Sequence, residues 1–282
     1  MDPASILKLA IVGSIVLIVL AIGLSAPPGS IRAGFRDPGA ILRAMLAMFV
    51  ALPAVALGVS WLLPLDPPVR VGLLALAVSP MPPILPAKEQ KLGGGLDYAL
   101  AIQMAASVTA LVAAPLLILI SAAIFGREAG FDALAMARTI LITIVAPLTA
   151  GIAIAAVVPA LAARLARPAR LAGMAMLAVG LVIVIWKAWP GIVAAATSVT
   201  LVAIALITLA GLAIGHALGG PEAGNRHALA VATASRHPGV AIGLAAAASL
   251  EPRQPIVAIV LLYLLAGALL TAPYGRWAKG RA

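Results

Sequence analysis

Long apolar stretches recur along the chain, separated by short segments that hold most of its charge, glycine and proline. The stretches predict nine helical spans at about 6–25, 39–63, 69–91, 96–124, 134–160, 168–188, 193–218, 225–249 and 254–274. Roughly 20 apolar residues cross a hydrocarbon core about 30 Å thick, so each run is long enough to span a bilayer. The alternating pattern of barrel strands is missing, and helices satisfy their own backbone inside lipid. Connections such as "SAPPGS", "PLDPP", "FGREAG" and "LGGPEAGN" are brief. The first run, Ile6 to Leu24, carries only Lys8 as a basic residue. Its length predicts a retained helix rather than a cleaved leader.

Two spans break the pattern. The third reads "VRVGLLALAVSPMPPILPAKEQKLGGG", with Pro80, Pro82, Pro83 and Pro86 followed by Lys88 and Glu89. Each proline removes a donor and clashes one turn back, so this span is not one continuous helix. The eighth contains "VATASRHPGV", in which Arg236 and His237 precede Pro238 and Gly239. The two lie five spans apart, an odd offset that inverts one relative to the other. Paired interruptions in matching positions of two halves point to a transporter site. Lone prolines such as Pro53, Pro115 and Pro147 are read as kinks.

Composition and charge agree with a membrane protein. Of 282 residues, 63% are hydrophobic and 10% charged, where a soluble domain carries about 25% charged residues. The net charge of +10 is spread between apolar runs, which reads as topology rather than nucleic-acid binding. Arg32, Arg36, Arg43, Lys88, Lys91, Arg164, Arg167, Arg170, Arg226, Arg276, Lys279 and Arg281 fall on one set of alternate connections. That richer side is cytoplasmic by the positive-inside rule, placing the N-terminus outside and the C-terminus inside. Trp61, Trp186, Trp189, Tyr274 and Trp277 fall near span ends, where an aromatic belt belongs. Cysteine is absent, which excludes disulfides and thiolate metal sites. There is no GxSxG, HExxH or phosphate loop, so nothing marks an enzyme.

The chemistry lies at the breaks. A guanidinium in mid-membrane faces a cavity, a partner or an interface that it reaches by snorkelling. Those alternatives are open for Arg236 and for Lys88, while Glu89 is either a ligand or one half of an ion pair. His237 is either a packed, hydrogen-bonded ring or a group titrating near neutral pH. Half-helix N-termini and a guanidinium fork suit an anion. Thr233 and Ser235 hydroxyls with freed carbonyls suit a cation. Gln103, Ser107 and Thr109 form a polar stripe at i, i+4 and i+6, of which the first two share a face. Such residues serve either a ligand or helix–helix contact.

The stretches "FRDPGAILRAMLAMFVALPAVALGV", "SPMPPILPAKEQKLGGGLDYALAIQMAASVTALVAAPLL" and "NRHALAVATASRHPGVAIGLAAAAS" resemble the bile acid:sodium symporter family, within the group that includes arsenite and auxin carriers. The likeness runs over nearly the whole chain. It implies an all-α integral membrane fold of inverted repeats with two discontinuous helices that cross. The chain resembles a nine-helix, bacterial-type member without the usual first helix, placed in the bacterial inner membrane. Spans one, five and six then form a panel, and spans two to four and seven to nine a core. The resemblance sets the family's Pro-Gly-Gly and Ser-Asn on Pro82, Pro83, Ile84, Ala87 and Lys88. It sets the family's Glu-x-x-x-Gln-Asn on Ala232, Arg236 and His237, with Gly239 kept.

Fixed cations at Lys88 and Arg236, and alanine at 232, stand where the resemblance implies sodium ligands. Two sodium ions beside two fixed cations repel strongly in low dielectric. The resemblance therefore implies sodium as the only accessory ion, and these departures argue against it. The expected function is alternating-access transport of a small or amphipathic organic anion, sodium-independent, with proton linkage through His237 or Glu89. An anion pore and a non-transporting sensor or scaffold are the rivals. Absence of cysteine speaks against an arsenite carrier.

Overall fold

The computed structural model of the protein describes residues 3–26, 29, 32–33, 35–82, 96–124, 138, 141–247 and 253–279. Every element among them is a helix. We number them α1 (Pro3–Leu24), α2 (Pro38–Leu62), α3 (Pro67–Val78), α4 (Leu96–Ile124), α5 (Leu141–Val157), α6 (Pro159–Ala195), α7 (Ser198–Leu218), α8 (Ala223–Ala234), α9 (Pro238–Ala247) and α10 (Arg253–Lys279). Among the described residues, α2, α6, α7 and the Pro255–Ala278 part of α10 are long and apolar enough to cross a membrane; Leu9–Leu24, α3 and α5 are shorter apolar helices. This is an integral membrane protein. Eight of the predicted spans begin or end within a few residues of a described helix. The exception is the sixth: α6 runs 37 residues, because Pro159 starts it in the first turn, where a missing N–H costs nothing.

Local chemistry sets the helix starts. The Asp37 side chain accepts from the Ala40 N–H at 2.9 Å, and Pro38 follows it at the first helical position of α2. Thr197 Oγ1 accepts from the Thr200 N–H at 3.2 Å to start α7. Gly220, at φ +82°, turns the chain from α7 towards α8.

Two packings dominate. In one, α1 lies against α5 and α6. A Cβ on Gly23 would sit 2.5 Å from Leu148 O, and one on Gly151 would sit 2.5 Å from Leu20 O, so the two backbones touch through glycine. In the other, α7 lies along α8. Gly211, Gly215 and Gly219, four residues apart, face Ala234, Ala230 and Arg226 in antiparallel order. This is close packing of small residues, the usual basis of helix association in lipid. Helix α8 is enclosed: residues 227–234 are all buried. The large apolar cluster draws on every one of these helices, including Ile15, Ile18, Val19 and Ile22 of α1, Ile144 and Leu148 of α5 and Ile192 of α6.

Proline also shapes the helices from within. Residues Ala47–Ala51 of α2 form a π-turn that ends two residues before Pro53. Residues Leu141–Val145 of α5 do the same before Pro147. The lone prolines at 53 and 147 therefore mark a change of hydrogen-bond register.

Candidate functional site at the crossing of two helix breaks

Helix α3 stops at Val78 and α8 stops at Ala234, and the two ends meet. The His237 N–H donates to Pro80 O at 2.9 Å and to Ser79 Oγ at 3.1 Å. Pro80 follows the end of α3 and Pro238 opens α9, and neither has an N–H to offer a carbonyl four residues back. Leu76 O, four residues before Pro80, takes the Ser79 N–H at 3.0 Å in a tightened last turn in place of an α-helical donor. Ala234 O, four residues before Pro238, has no α-helical partner. Met48 O is orphaned as well, because the Leu52 N–H goes to Ala47 O and the next candidate donor is Pro53.

Side chains meet these carbonyls. Arg236 Nε donates to Leu76 O at 3.2 Å, and its Nη2 donates to Met48 O at 2.9 Å and to Ala77 O. The Tyr263 hydroxyl donates to Ala234 O at 2.8 Å. Ser79 Oγ also donates to Leu76 O, at 2.8 Å. Arg236 is only 2% exposed, and its Cζ stands 5.8 Å from the Phe49 ring centroid. Among the described residues no carboxylate pairs with it. Its charge is balanced by the negative end of α3 and by carbonyl dipoles. Of the alternatives for Arg236, snorkelling to an interface is ruled out: the guanidinium turns inward and joins α2, α3 and the α8–α9 break.

His237 caps the start of α9. The Val240 N–H donates to Nδ1 at 3.3 Å, so the ring accepts there and carries its proton on Nε2. The ring lies beside Gly239, which also faces Ile15 of α1. Arg236 Nη1, His237 Nε2 and Gln103 Oε1 are buried and have no hydrogen-bond partner among the described residues. Buried polar atoms are normally paired, so each marks unused capacity.

The other expected residues divide. Gln103 and Ser107 pair within α4, Nε2 to Oγ at 3.4 Å, and the Ser107 hydroxyl donates to Gln103 O at 2.7 Å. The Thr109 hydroxyl meets Met45 Sδ at 3.3 Å, a contact to α2. Thr233 Oγ1 donates back to Leu229 O at 2.7 Å, which uses its proton and leaves the oxygen as an acceptor. Ser235 is half-buried at the break, its N–H on Val231 O. Pro82 is half-buried past the end of α3. Pro83, Lys88 and Glu89 lie outside the described residues. Ala232, which replaces an expected acidic ligand, is fully buried.

Reasoning from sequence missed Tyr263, Ser79 and the main-chain acceptors. Tyr263 sits alone in the apolar run "IVLLYLLAGALL", and that isolated phenol was the available signal. No group of three or more His, Cys, Asp or Glu that could hold a metal occurs among the described residues.

The family model described as Sodium Bile acid symporter family matches residues 13–195. The matched stretch includes the first break and ends before the second. None of the curated proteins matches the chain.

Proposed function

Because the chain belongs to the sodium bile acid symporter family, a family of membrane transporters, we propose that it carries a small or amphipathic organic anion by alternating access and without sodium coupling. The observation that carries this reading is the seat of Arg236. Its guanidinium already holds carbonyls of α2 and α3 at the crossing, where the resemblance calls for a sodium ion. Two donors are left over there, Arg236 Nη1 and the Nε2–H of His237. A buried fixed cation with unspent N–H groups suits a carboxylate. In this reading α1, α5 and α6 form the panel, and the remaining helices rock against it about the crossing. The N-terminus lies outside and the C-terminus in the cytoplasm of a bacterial inner membrane. Lys88 serves as the second fixed cation.

Proton linkage through His237 is the weaker half of the expectation. Protonating Nδ1 would break the cap on Val240 and place a second charge beside Arg236. Any proton coupling then falls to Glu89.

The experiment is uptake of carboxylates into vesicles containing purified protein, with and without a sodium gradient. The expected result is equal rates, and uptake that requires sodium overturns the reading. Arg236→Gln should weaken anion binding by about tenfold or more, since a charge-assisted bond contributes about 1.5–3 kcal/mol. Unchanged binding in that variant would assign Arg236 to structure alone.

A further inference from the structure

We propose that Met48 O, Leu76 O and Ala77 O form a binding site for a planar cation, which Arg236 fills from within the chain, and that Pro53 creates one of its three ligands. The inference rests on reading Arg236 as the resident cation of the crossing and adds the identity of the ligands and their origin. Three oxygens from two separate helices converge on one guanidinium. One of them, Met48 O, is freed by a particular proline. Leu76 O also accepts from the Ser79 N–H at 3.0 Å and from the Ser79 hydroxyl at 2.8 Å, so Arg236 Nε is a further donor to it, and Ala77 O lies in the same last turn of α3. Met48 O is freed only because the π-turn takes the Leu52 N–H away and residue 53 has no N–H to replace it. The lone Pro53, 183 residues from Arg236 in the sequence (236 minus 53), is therefore part of the same site.

The ligand set is neutral. No carboxylate among the described residues meets the guanidinium, and the Phe49 ring lies 5.8 Å from Cζ. Carbonyl dipoles and an aromatic face favour a weakly hydrated, delocalised cation over a strongly hydrated one. Nε and Nη2 use two edges of the guanidinium plane, a geometry that a planar fork matches more closely than a spherical alkali ion or a tripodal ammonium does.

Removing the side chain should leave a vacant site that a free guanidinium enters. The test is the melting temperature of purified Arg236→Ala protein titrated with methylguanidinium to about 10 mM, with urea, NaCl and KCl as controls. A ligand that binds only the folded state raises the melting temperature in a saturable way. The expected result is a rise of about 3 °C or more for the variant, under about 1 °C for the wild type, and none with urea. No response, or an equal response in both proteins, overturns the proposal. A response to sodium as large as that to methylguanidinium overturns the preference for a planar cation.

Should Arg236→Ala fail to fold, a cycle of Arg236→Lys with Pro53→Ala decides the matter. The Pro53→Ala change restores an N–H that competes for Met48 O, so Arg236→Lys should lower the melting temperature less in the Pro53→Ala background than in the wild type. Equal losses in the two backgrounds remove Met48 and Pro53 from the site. None of these measurements involves transport. Sodium-dependent uptake by the wild type would sink the carrier reading and leave this assignment standing on its own result.

Discussion

Helix α6 and the α8–α9 segment put the same kinds of residue to opposite use. Of the 37 residues of α6, only Ala162, Gly173, Gly180 and Ile192 are buried. Val182 is 67% exposed and Trp186 77% exposed. At 1.5 Å per residue the helix is about 55 Å long, well beyond a hydrocarbon core of about 30 Å. It stays helical through Pro168 and Pro190 and packs on α1, α5 and α10, with Gly173 approaching Ile18 and Ser14. The α8–α9 segment has no such outward face, since every residue from 227 to 234 is buried. It is this enclosed segment that stops, turns and resumes at Pro238. A helix facing lipid must satisfy its own backbone. A helix surrounded by protein can leave carbonyls open, because Arg236 and Tyr263 supply donors to its own and neighbouring chain breaks. Enclosure thus permits the break, and the break creates a place for a buried charge.

The contrast fails if α8 tolerates bulk as α6 does. The largest effect is expected for Gly215→Leu, because a Cβ there would lie 2.5 Å from both Leu229 O and Ala230 Cα. Both atoms are backbone in the helix that leads to the break, so neither can rotate away. No folded protein should be recovered, measured as loss of a single monodisperse peak in size-exclusion chromatography. Gly13→Leu is the control on the α1–α6 contact. A Cβ at Gly13 meets only the flexible end of Met176, at 3.5 Å. That variant should remain folded.

The legibility of the sequence divides along the same line. The end of α3 and the break between α8 and α9 were visible in "SPMPP" and "SRHPG", because proline and a stranded arginine are unmistakable letters in an apolar run. Most helix starts were visible because length and hydropathy are local properties. The spacing of Gly211, Gly215 and Gly219 was also there to read, as small residues four apart. The partners of Arg236 were not. They are main-chain oxygens of residues 159, 160 and 188 positions away, and a carbonyl is the same in every residue. What distinguishes Met48 from its neighbours is a proline five positions later, and Pro53 alone reads as an ordinary kink. The extent of α6 was hidden for another reason. Arg164, Arg167 and Arg170 look like a connection, yet a helix that outruns the bilayer carries such residues on an exposed turn.

A smaller effect separates the two ways of treating a freed carbonyl. Tyr263 is buried, and its hydroxyl donates to Ala234 O at 2.8 Å. Tyr263→Phe keeps the ring and its packing while removing the donor. Leaving one buried acceptor unpaired costs about 1–3 kcal/mol, read as a lowered melting temperature of the purified protein. Pro238→Ala in the same chain should recover part of that loss if the backbone from Ser235 to His237, not helical in the wild type, closes into helix and brings the new N–H to Ala234 O. If the double variant is no more stable than Tyr263→Phe, that closure does not occur or the missing donor is not what Tyr263 replaces.

The smallest effect should come from the lipid-facing side of α6. Ala178 is exposed on that helix, whereas Ala232 on α8 is fully buried. Leucine at 178 displaces acyl chains, which are as apolar as its own side chain, and it keeps a good helix former in place. Ala178→Leu should therefore leave the melting temperature within about 1 °C, equivalent to a surface change of about 0.5 kcal/mol or less. The identical substitution at the fully buried Ala232 must push the atoms packed around α8 aside, and overpacking costs about 1–3 kcal/mol. A matched pair of melts compares the two positions with the same side chain added to each. If Ala178→Leu proves as costly as Ala232→Leu, then α6 is covered by protein in the membrane, and the outer face assigned to lipid here belongs to an interface between copies of the chain.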